Sequence, residues 1–337
     1  MKVVPLVETT RGGHVENVHF GSVAVVDAAG KLLWYAGDPE FPTFTRSALK
    51  PFQALPFMLD DGPAKLGLSL REVAVMCASH SGEDQHVDTV RGILERVGLD
   101  ESHLECGCHQ PTFYETLNLR VPCDRTWTPL QHNCSGKHGG FLAWCALHGA
   151  PTADYVNPDH PLQREVRRRL GETLGVDGDT LPRGIDGCSA PNYAVPLSRL
   201  AHLYARLAQG GSDAQWGQAM GTLRDAMITH PELVSGEGRS DLVYMGASRG
   251  DWVTKVGADA VQAVGVTSAA LGIAIKISDG APRSLQAVTV SVLDQLGLID
   301  GERAAAVERY RQPPLRNWRG TVVGEIRSVF RLARAGS

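Results

Sequence analysis

The sequence is short of the features that would put it on nucleic acid or in a membrane. It carries 33 Lys and Arg against 37 Asp and Glu, a formal net charge of -4. That leaves no basic stripe for a phosphate backbone and no polybasic segment for a lipid surface. No apolar run reaches the length of a bilayer-crossing helix. The first residues, Met1 to Glu8, meet a charge too early for a secretory leader, so the expected location is cytoplasmic. Internal repeats, low-complexity tracts and long linkers are all absent. There is no Cys-x-x-Cys pair, and the seven cysteines, at 77, 106, 108, 123, 134, 145 and 188, are an odd and scattered set. This speaks against a disulfide framework and for buried thiols or metal ligands.

What is present suits a globular chain: 43% of the 337 residues are hydrophobic and 21% charged, enough to bury a large core. Residues 3–37 read as antiparallel strands, with Asp27-Ala28-Ala29-Gly30 as a hairpin turn between two apolar runs. Apolar spacing predicts helices at 84–97, 138–148, 161–174, 197–209 and 213–229, and two closing helices at 283–295 and 301–311. Strands are expected at 252–257 and 271–277, joined by a glycine-punctuated connection, with a last strand at 320–325. Residues 70–75 lead into a polar turn taken as a strand-to-helix junction. The stretch 100–135 is irregular, and a connector of that length wraps a site more often than not. The fold class is therefore α+β: an antiparallel sheet formed by both chain ends, with a helical region inserted. One domain spans 1–337, its sheet subregion about 1–45 and 250–337 and its helical and loop subregion about 46–249.

The chain is organised around Thr45-Arg46-Ser47-Ala48-Leu49-Lys50-Pro51. Positions i and i+3 share a helix face, so the Ser47 hydroxyl and the Lys50 amine can meet there. Pro51 is tolerated in a first helical turn, which starts the helix at about Ser47. A serine becomes a nucleophile when a neighbouring base takes its proton, and a lysine kept neutral by burial is such a base. Ser-x-x-Lys is the acylating pair of serine β-lactamases and penicillin-binding proteins. The plainer reading is a helix cap followed by a solvated lysine. Lys255-Val256-Gly257 stands in loosely for the Lys-Thr-Gly strand of those enzymes, while no Ser-Asp-Asn-type turn is present. A small amide therefore fits better than a lactam.

Three further stretches concentrate chemistry. Ser79-His80-Ser81-Gly82-Glu83 offers a second hydroxyl at a helix start, with Ser81 or Asp84 as the cap. Asn133-Cys134-Ser135-Gly136-Lys137-His138 crowds a thiol, an amine and an imidazole, and Cys188 sits in a comparable turn, Gly184 to Pro191. Neither turn has an evident packing reason. Cys134 and Cys188 suit a zinc ion, which favours sulfur and nitrogen donors, although Cys106, Cys108 and His109 form an equally eligible half-site. Buried structural thiols beside a surface lysine are the alternative.

These four blocks, in this order and spacing, resemble the Rhizobium etli-type, or class 3, L-asparaginases over essentially the whole chain. The resemblance implies a serine β-lactamase-like fold, a homodimer, and hydrolysis of L-asparagine to L-aspartate and ammonia. It implies two Ser–Lys pairs, Ser47 with Lys50 and Ser79 with a later lysine, assigned to Lys255. It implies one zinc ion (Zn2+) per subunit, bound by Cys134, Lys137 and Cys188 and orienting substrate. Around it, Asp186 would receive the substrate α-ammonium, Arg46 or His138 its carboxylate, and His80 completes the substrate-binding set. The competing readings are a serine-dependent glutaminase or other small-amide hydrolase of this fold, and a non-catalytic zinc-binding protein built on Cys106, Cys108, His109, Cys123 and Cys134. No nucleic acid or membrane partner is expected.

Overall fold

The computed structural model describes residues 2–336, which fall into two compact units. The first comprises Met1–Ala48, Val195–Ala208 and Val243–Ser337, and the second Leu49–Ala194 and Gln209–Leu242. No helix among the described residues is long and apolar enough to cross a membrane.

The first unit is built on a nine-stranded antiparallel sheet. Both ends of the chain supply it, as the order of apolar runs predicts. The long strand His14–Asp27 pairs with Val4–Arg11 along its first half and with Leu271–Ile277 along its second, in a register that sets Val23 opposite Ile275. Leu32–Ala36 folds back on His14–Asp27 through a turn in which Asp27 Oδ1 accepts the N–H groups of Ala29 and Lys31. Gly30 takes the left-handed conformation there, with φ at 80°. The predicted strands Trp252–Gly257 and Leu271–Ile277 are present, but the connection between them is itself a strand, Val261–Val266. All six of its residues are buried, so it lacks the alternation by which a half-buried strand is recognised. The last long strand is Val322–Ser328, flanked by the short strands Pro314–Arg316 and Ala333–Arg334.

Helices cover both faces of this sheet. Val264, Val266, Ile273, Ile275 and Ile277 join one apolar cluster with Leu285, Val288 and Val292 of the helix Pro282–Gln295. On the other face, the register partners Gly265 and Gly272 lie under the helix Leu197–Gln209. A Cβ on Gly272 would stand 1.9 Å from Ala201 O, and one on Gly265 2.3 Å from Tyr204 O, so only glycine lets the helix backbone approach this closely.

The second unit is helical: Leu70–Met76, Asp84–Arg96, Ser135–His148, Pro161–Leu174 and Gly217–Thr229 are its main elements. Residues 70–76 are thus a helix rather than the strand implied by a strand-to-helix junction. Its start is marked by a capping box between Ser69 and Glu72, a signal that outweighs the β-branched run. At the centre lies Ser135–His148, with every residue from Ser135 to Cys145 buried. The small residues at its start do have a packing reason. A Cβ on Gly136 would sit 2.0 Å from Val75 O, and one on Gly140 3.0 Å from Met76 Cγ, so two helices meet there backbone to backbone.

Candidate active site

Ser79, His80 and Ser81 form a straight bridge between the end of helix Leu70–Met76 and the start of Asp84–Arg96. The Ser79 N–H donates to Val234 O at 3.0 Å and the His80 N–H to Asn133 O at 3.2 Å. The Ser81 hydroxyl donates to Ser235 O at 3.1 Å. The bridge is therefore clamped from two sides within the unit. The helix cap is Glu83, not Ser81 or Asp84: its N–H donates to His86 Nδ1 at 3.1 Å and its carbonyl accepts the N–H groups of His86 and Val87. Ser81 is engaged with the 235 loop and Asp84 is already in the helix.

Against this bridge lies Lys50, the first residue of helix Lys50–Gln53, with Pro51 in its first turn as expected. A 3-10 turn, Arg46–Leu49, precedes it. Lys50 is 1% exposed. Its Nζ lies 2.9 Å from Ser79 Oγ, donates to Ala78 O, and is 3.4 Å from Asn133 O. None of these partners is a carboxylate. Two positions around the amine face carbonyl oxygens, which only accept. The third faces Ser79 Oγ, where an ammonium donates a proton and a neutral amine accepts one from the hydroxyl. The contact can carry a proton either way.

His80 is a supporting group. Its Nδ1 accepts the Gly82 N–H at 3.2 Å, so the ring proton sits on Nε2 and is donated to Ser135 Oγ at 2.9 Å. Ser135 passes its own proton to Leu130 O at 2.8 Å. Burial, followed by the neighbouring His86 and Lys50 charges, holds His80 well below the usual imidazole range. Both ring nitrogens of this candidate substrate-binding residue are thus engaged by protein groups.

Ser47, Arg46 and Lys255 belong to the first unit. Lys255 is fully buried in the strand Trp252–Gly257, and its Nζ donates to Val256 O at 2.8 Å. The same strand ends at Gly257, where an added Cβ would be 2.8 Å from Thr45 O and 3.3 Å from Arg46 Cβ. The segment that leads into Ser47 is therefore pressed on the end of the Lys255 strand. Arg46 adopts a left-handed backbone (φ 49°) and forms an ion pair with Asp259, itself left-handed (φ 55°) together with Ala260 (φ 56°). Three such residues at one corner hold strain beside the candidate nucleophile.

Lys137 and Cys188 meet in the second unit. Lys137 Nζ donates to Cys188 Sγ at 3.0 Å. A hydrogen bond from Cys134 holds Cys188 far below the ordinary thiol range, with Lys137 assisting. The same bond, together with burial, pushes Cys134 well above that range. The two thiols are thus driven in opposite directions, Cys188 down and Cys134 up. Burial works against the Lys137 charge, yet Cys188 and Cys134 outweigh it and raise the amine. His138 Nδ1 accepts from the Tyr155 hydroxyl at 2.8 Å, which itself accepts the Glu105 N–H. His138 Nε2 is buried with no hydrogen-bond partner. Burial brings this ring down to about 4 against the pull of the Cys188 thiolate, so His138 sits among the thiols. Asp186 opens the turn that carries Cys188 and accepts the Gly187 N–H at 2.9 Å. Ser189 holds that turn with φ at 70°.

The other proposed metal set does not gather. Among the described residues no three His, Cys, Asp or Glu side chains are grouped to hold a metal ion. His109 has both nitrogens in use, one facing Gln110 O at 2.7 Å and the other accepting the Asn133 N–H at 3.0 Å. Cys108 and Cys123 are exposed, while Cys106 is buried and raised to about 12, chiefly by burial and then by the Cys188 charge. The Asn133 carbonyl serves both His80 and Lys50, a role its place in the motif does not announce, and no local pattern announces Tyr155.

Residues 7–328 match the family model described as L-asparaginase II. Two solved structures, "Crystal Structure Analysis of Mglu in its native form" and "Crystal Structure Analysis of Mglu", are similar at 14% identity and a TM-score of 0.46. These alignments cover 83% of this chain and 65% and 68% of the other two, so the chain spans about two thirds of their length. No curated protein matches the sequence. With a match that runs over nearly its whole length, the chain belongs to the L-asparaginase II family.

Proposed function

We propose that this chain is an L-asparagine amidohydrolase of the Rhizobium etli-type, class 3, branch, with a serine β-lactamase-like layout, acting as a cytoplasmic homodimer. The observation that carries the reading is the buried amine of Lys50 at 2.9 Å from Ser79 Oγ, with no carboxylate to neutralise it, in a chain of this family. A buried amine that faces a hydroxyl and two carbonyls suits proton transfer better than structural ion pairing. Ser47 is the acyl acceptor on the strength of the Ser-x-x-Lys pattern. It attacks the side-chain amide carbon, its proton passes to Lys50, and the carbonyl oxygen becomes an oxyanion met by backbone N–H groups. Ser79, with Lys255 as its second amine, relays the proton to the departing nitrogen, which leaves as ammonia. Water then hydrolyses the β-aspartyl ester and frees Ser47. Asp186 is the partner of the substrate α-ammonium and Arg46 of its α-carboxylate.

Cys134, Lys137 and Cys188 would hold a zinc ion. The two thiols and the Lys137 amine, 3.0 Å from Cys188 Sγ, are a sulfur- and nitrogen-bearing donor set whose chemistry suits it. When bound, the metal supplies a positive anchor for substrate. The test is ammonia release from L-asparagine and L-glutamine, before and after stripping metal with a chelator. Release from asparagine, weakened by chelation mainly at low substrate, is the expected result. A folded sample that releases ammonia from neither amide overturns the reading.

A further inference from the structure

Five histidines of the second unit are buried: His80, His86, His132, His138 and His160. Three of them have both ring nitrogens tied to protein groups. His80 is described above, His86 bridges the Glu83 N–H and Glu232 O, and His160 bridges the Leu162 N–H and Pro151 O. His138 has one free nitrogen, but it is sealed from solvent among the thiols. His132 differs from all four. Its Nδ1 accepts the Cys134 N–H at 3.0 Å, and its backbone is fixed at both ends, the N–H on Pro129 O at 3.1 Å and the carbonyl on the Ser135 N–H at 2.9 Å. A nitrogen that accepts carries no proton, so the ring proton is on Nε2. That N–H has no hydrogen-bond partner among the described residues, and the side chain keeps 7% of its surface open.

The surroundings say what the donor is for. His132 directly precedes Asn133, whose carbonyl lies 3.4 Å from Lys50 Nζ, and its own Nδ1 holds the N–H of Cys134, so the ring belongs to the segment that touches both the Lys50 amine and the thiol cluster. The His109 ring packs against it at 4.4 Å between centroids and fixes its orientation. An N–H left without a partner at such a place costs stability unless a ligand or water takes it. With the Lys50 amine nearby and no carboxylate bonded to it, an anionic group is the natural acceptor.

We propose that His132 is a further substrate-binding residue, whose Nε2–H donates to the α-carboxylate of the amino-acid substrate. The assignment rests on the amidohydrolase reading and deepens it.

Two substitutions separate the ring's two nitrogens. His132→Asn puts an acceptor where Nδ1 meets the Cys134 N–H but removes the distal donor. His132→Gln restores an N–H near the Nε2 position and loses the proximal acceptor. Steady-state ammonia release and thermal midpoints are measured for both. The expected result is a KM for asparagine raised about 10- to 100-fold in His132→Asn, with kcat and midpoint close to wild type, and a KM largely recovered in His132→Gln. An unchanged KM in His132→Asn overturns the assignment. So does an equal loss of kcat and thermal midpoint in both variants, because that pattern marks a purely structural ring. A wild-type chain that hydrolyses no asparagine overturns the amidohydrolase reading and this assignment with it, whereas wild-type turnover with an indifferent His132→Asn overturns the assignment alone.

Discussion

Lys50 Nζ and Ser79 Oγ lie 2.9 Å apart, and both residues are buried. Lys50 opens a short helix and Ser79 lies in the bridge between two others, 29 positions apart, so sequence proximity does not hold them together. The contact depends on Asn133, whose carbonyl binds the Lys50 amine and the His80 N–H together. Its loss should be felt in turnover before it is felt in stability. Lys50→Met keeps the apolar stem and removes the amine, and a drop in kcat of at least about 100-fold is expected, as for removal of a general base. Ser79→Ala and Ser47→Ala, assayed beside it for ammonia release, show which hydroxyl is acylated. Substantial turnover in Ser47→Ala would move that role to Ser79.

The start of the helix Ser135–His148 allows a contrast within five residues. Gly136→Ala drives a methyl to 2.0 Å from the Val75 carbonyl, a backbone atom that cannot step aside. A loss of about 1–3 kcal/mol or more is expected, read as a lowered urea midpoint. Gly139→Ala meets nothing nearer than 3.6 Å and removes a flexible residue from a helix interior. It should be neutral or stabilise by about 0.5–1 kcal/mol.

Acid should weaken the fold through its neutral imidazoles. His80, His86 and His138 are all lowered, chiefly by burial, His138 to about 4. A ring lowered in the folded state binds fewer protons than the unfolded chain does. Its contribution to stability is therefore complete above the unfolded value of about 6.5 and is lost as pH falls through that value toward the folded one. Denaturant midpoints of the metal-free chain should be flat above pH 7 and decline between pH 6.5 and 4. A midpoint that rises on acidification over that window would contradict the assignment of these rings as buried and neutral.

Metal removal should act on binding rather than on chemistry. Cys188→Ser weakens the thiolate that organises Cys134 and Lys137. If zinc orients substrate, both chelation and Cys188→Ser raise KM while kcat stays within a few-fold of the native value, and added zinc restores only the wild-type chain. A collapse of kcat with KM unchanged would place the metal in the chemical step instead.

Much of the fold was legible because its helices are long and periodic. Pro161–Leu174, Leu197–Gln209 and Gly301–Arg311 begin and end where apolar spacing, proline and glycine say they should. The strand Val261–Val266 was not, because Gly265 and the other small residues in it answer to helices on both faces and leave no alternation. Helix Leu70–Met76 was obscured by valines that suit either structure. Within the site, the sequence draws attention to residues crowded into short motifs, as at Cys134 and Lys137. The partners of Tyr155 and of the Asn133 carbonyl are not legible there, since they depend on which groups meet once the chain has closed around them.

The pairing of His14–Asp27 with Leu271–Ile277 has a consequence in time. During synthesis the first of these strands leaves the ribosome about 250 residues before its partner, at roughly 5–20 residues per second. For that interval, of order ten seconds or more, one edge of an apolar strand has no native neighbour and is open to wrong ones. The helical unit can form meanwhile, since its second and last stretch ends at Leu242, before the final sheet strands are made. Refolding of the whole chain from denaturant should also show helix recovered early and sheet late, because this pairing closes a loop of about 250 residues. Yield should fall with protein concentration, because the waiting strand is the one most able to pair with another chain.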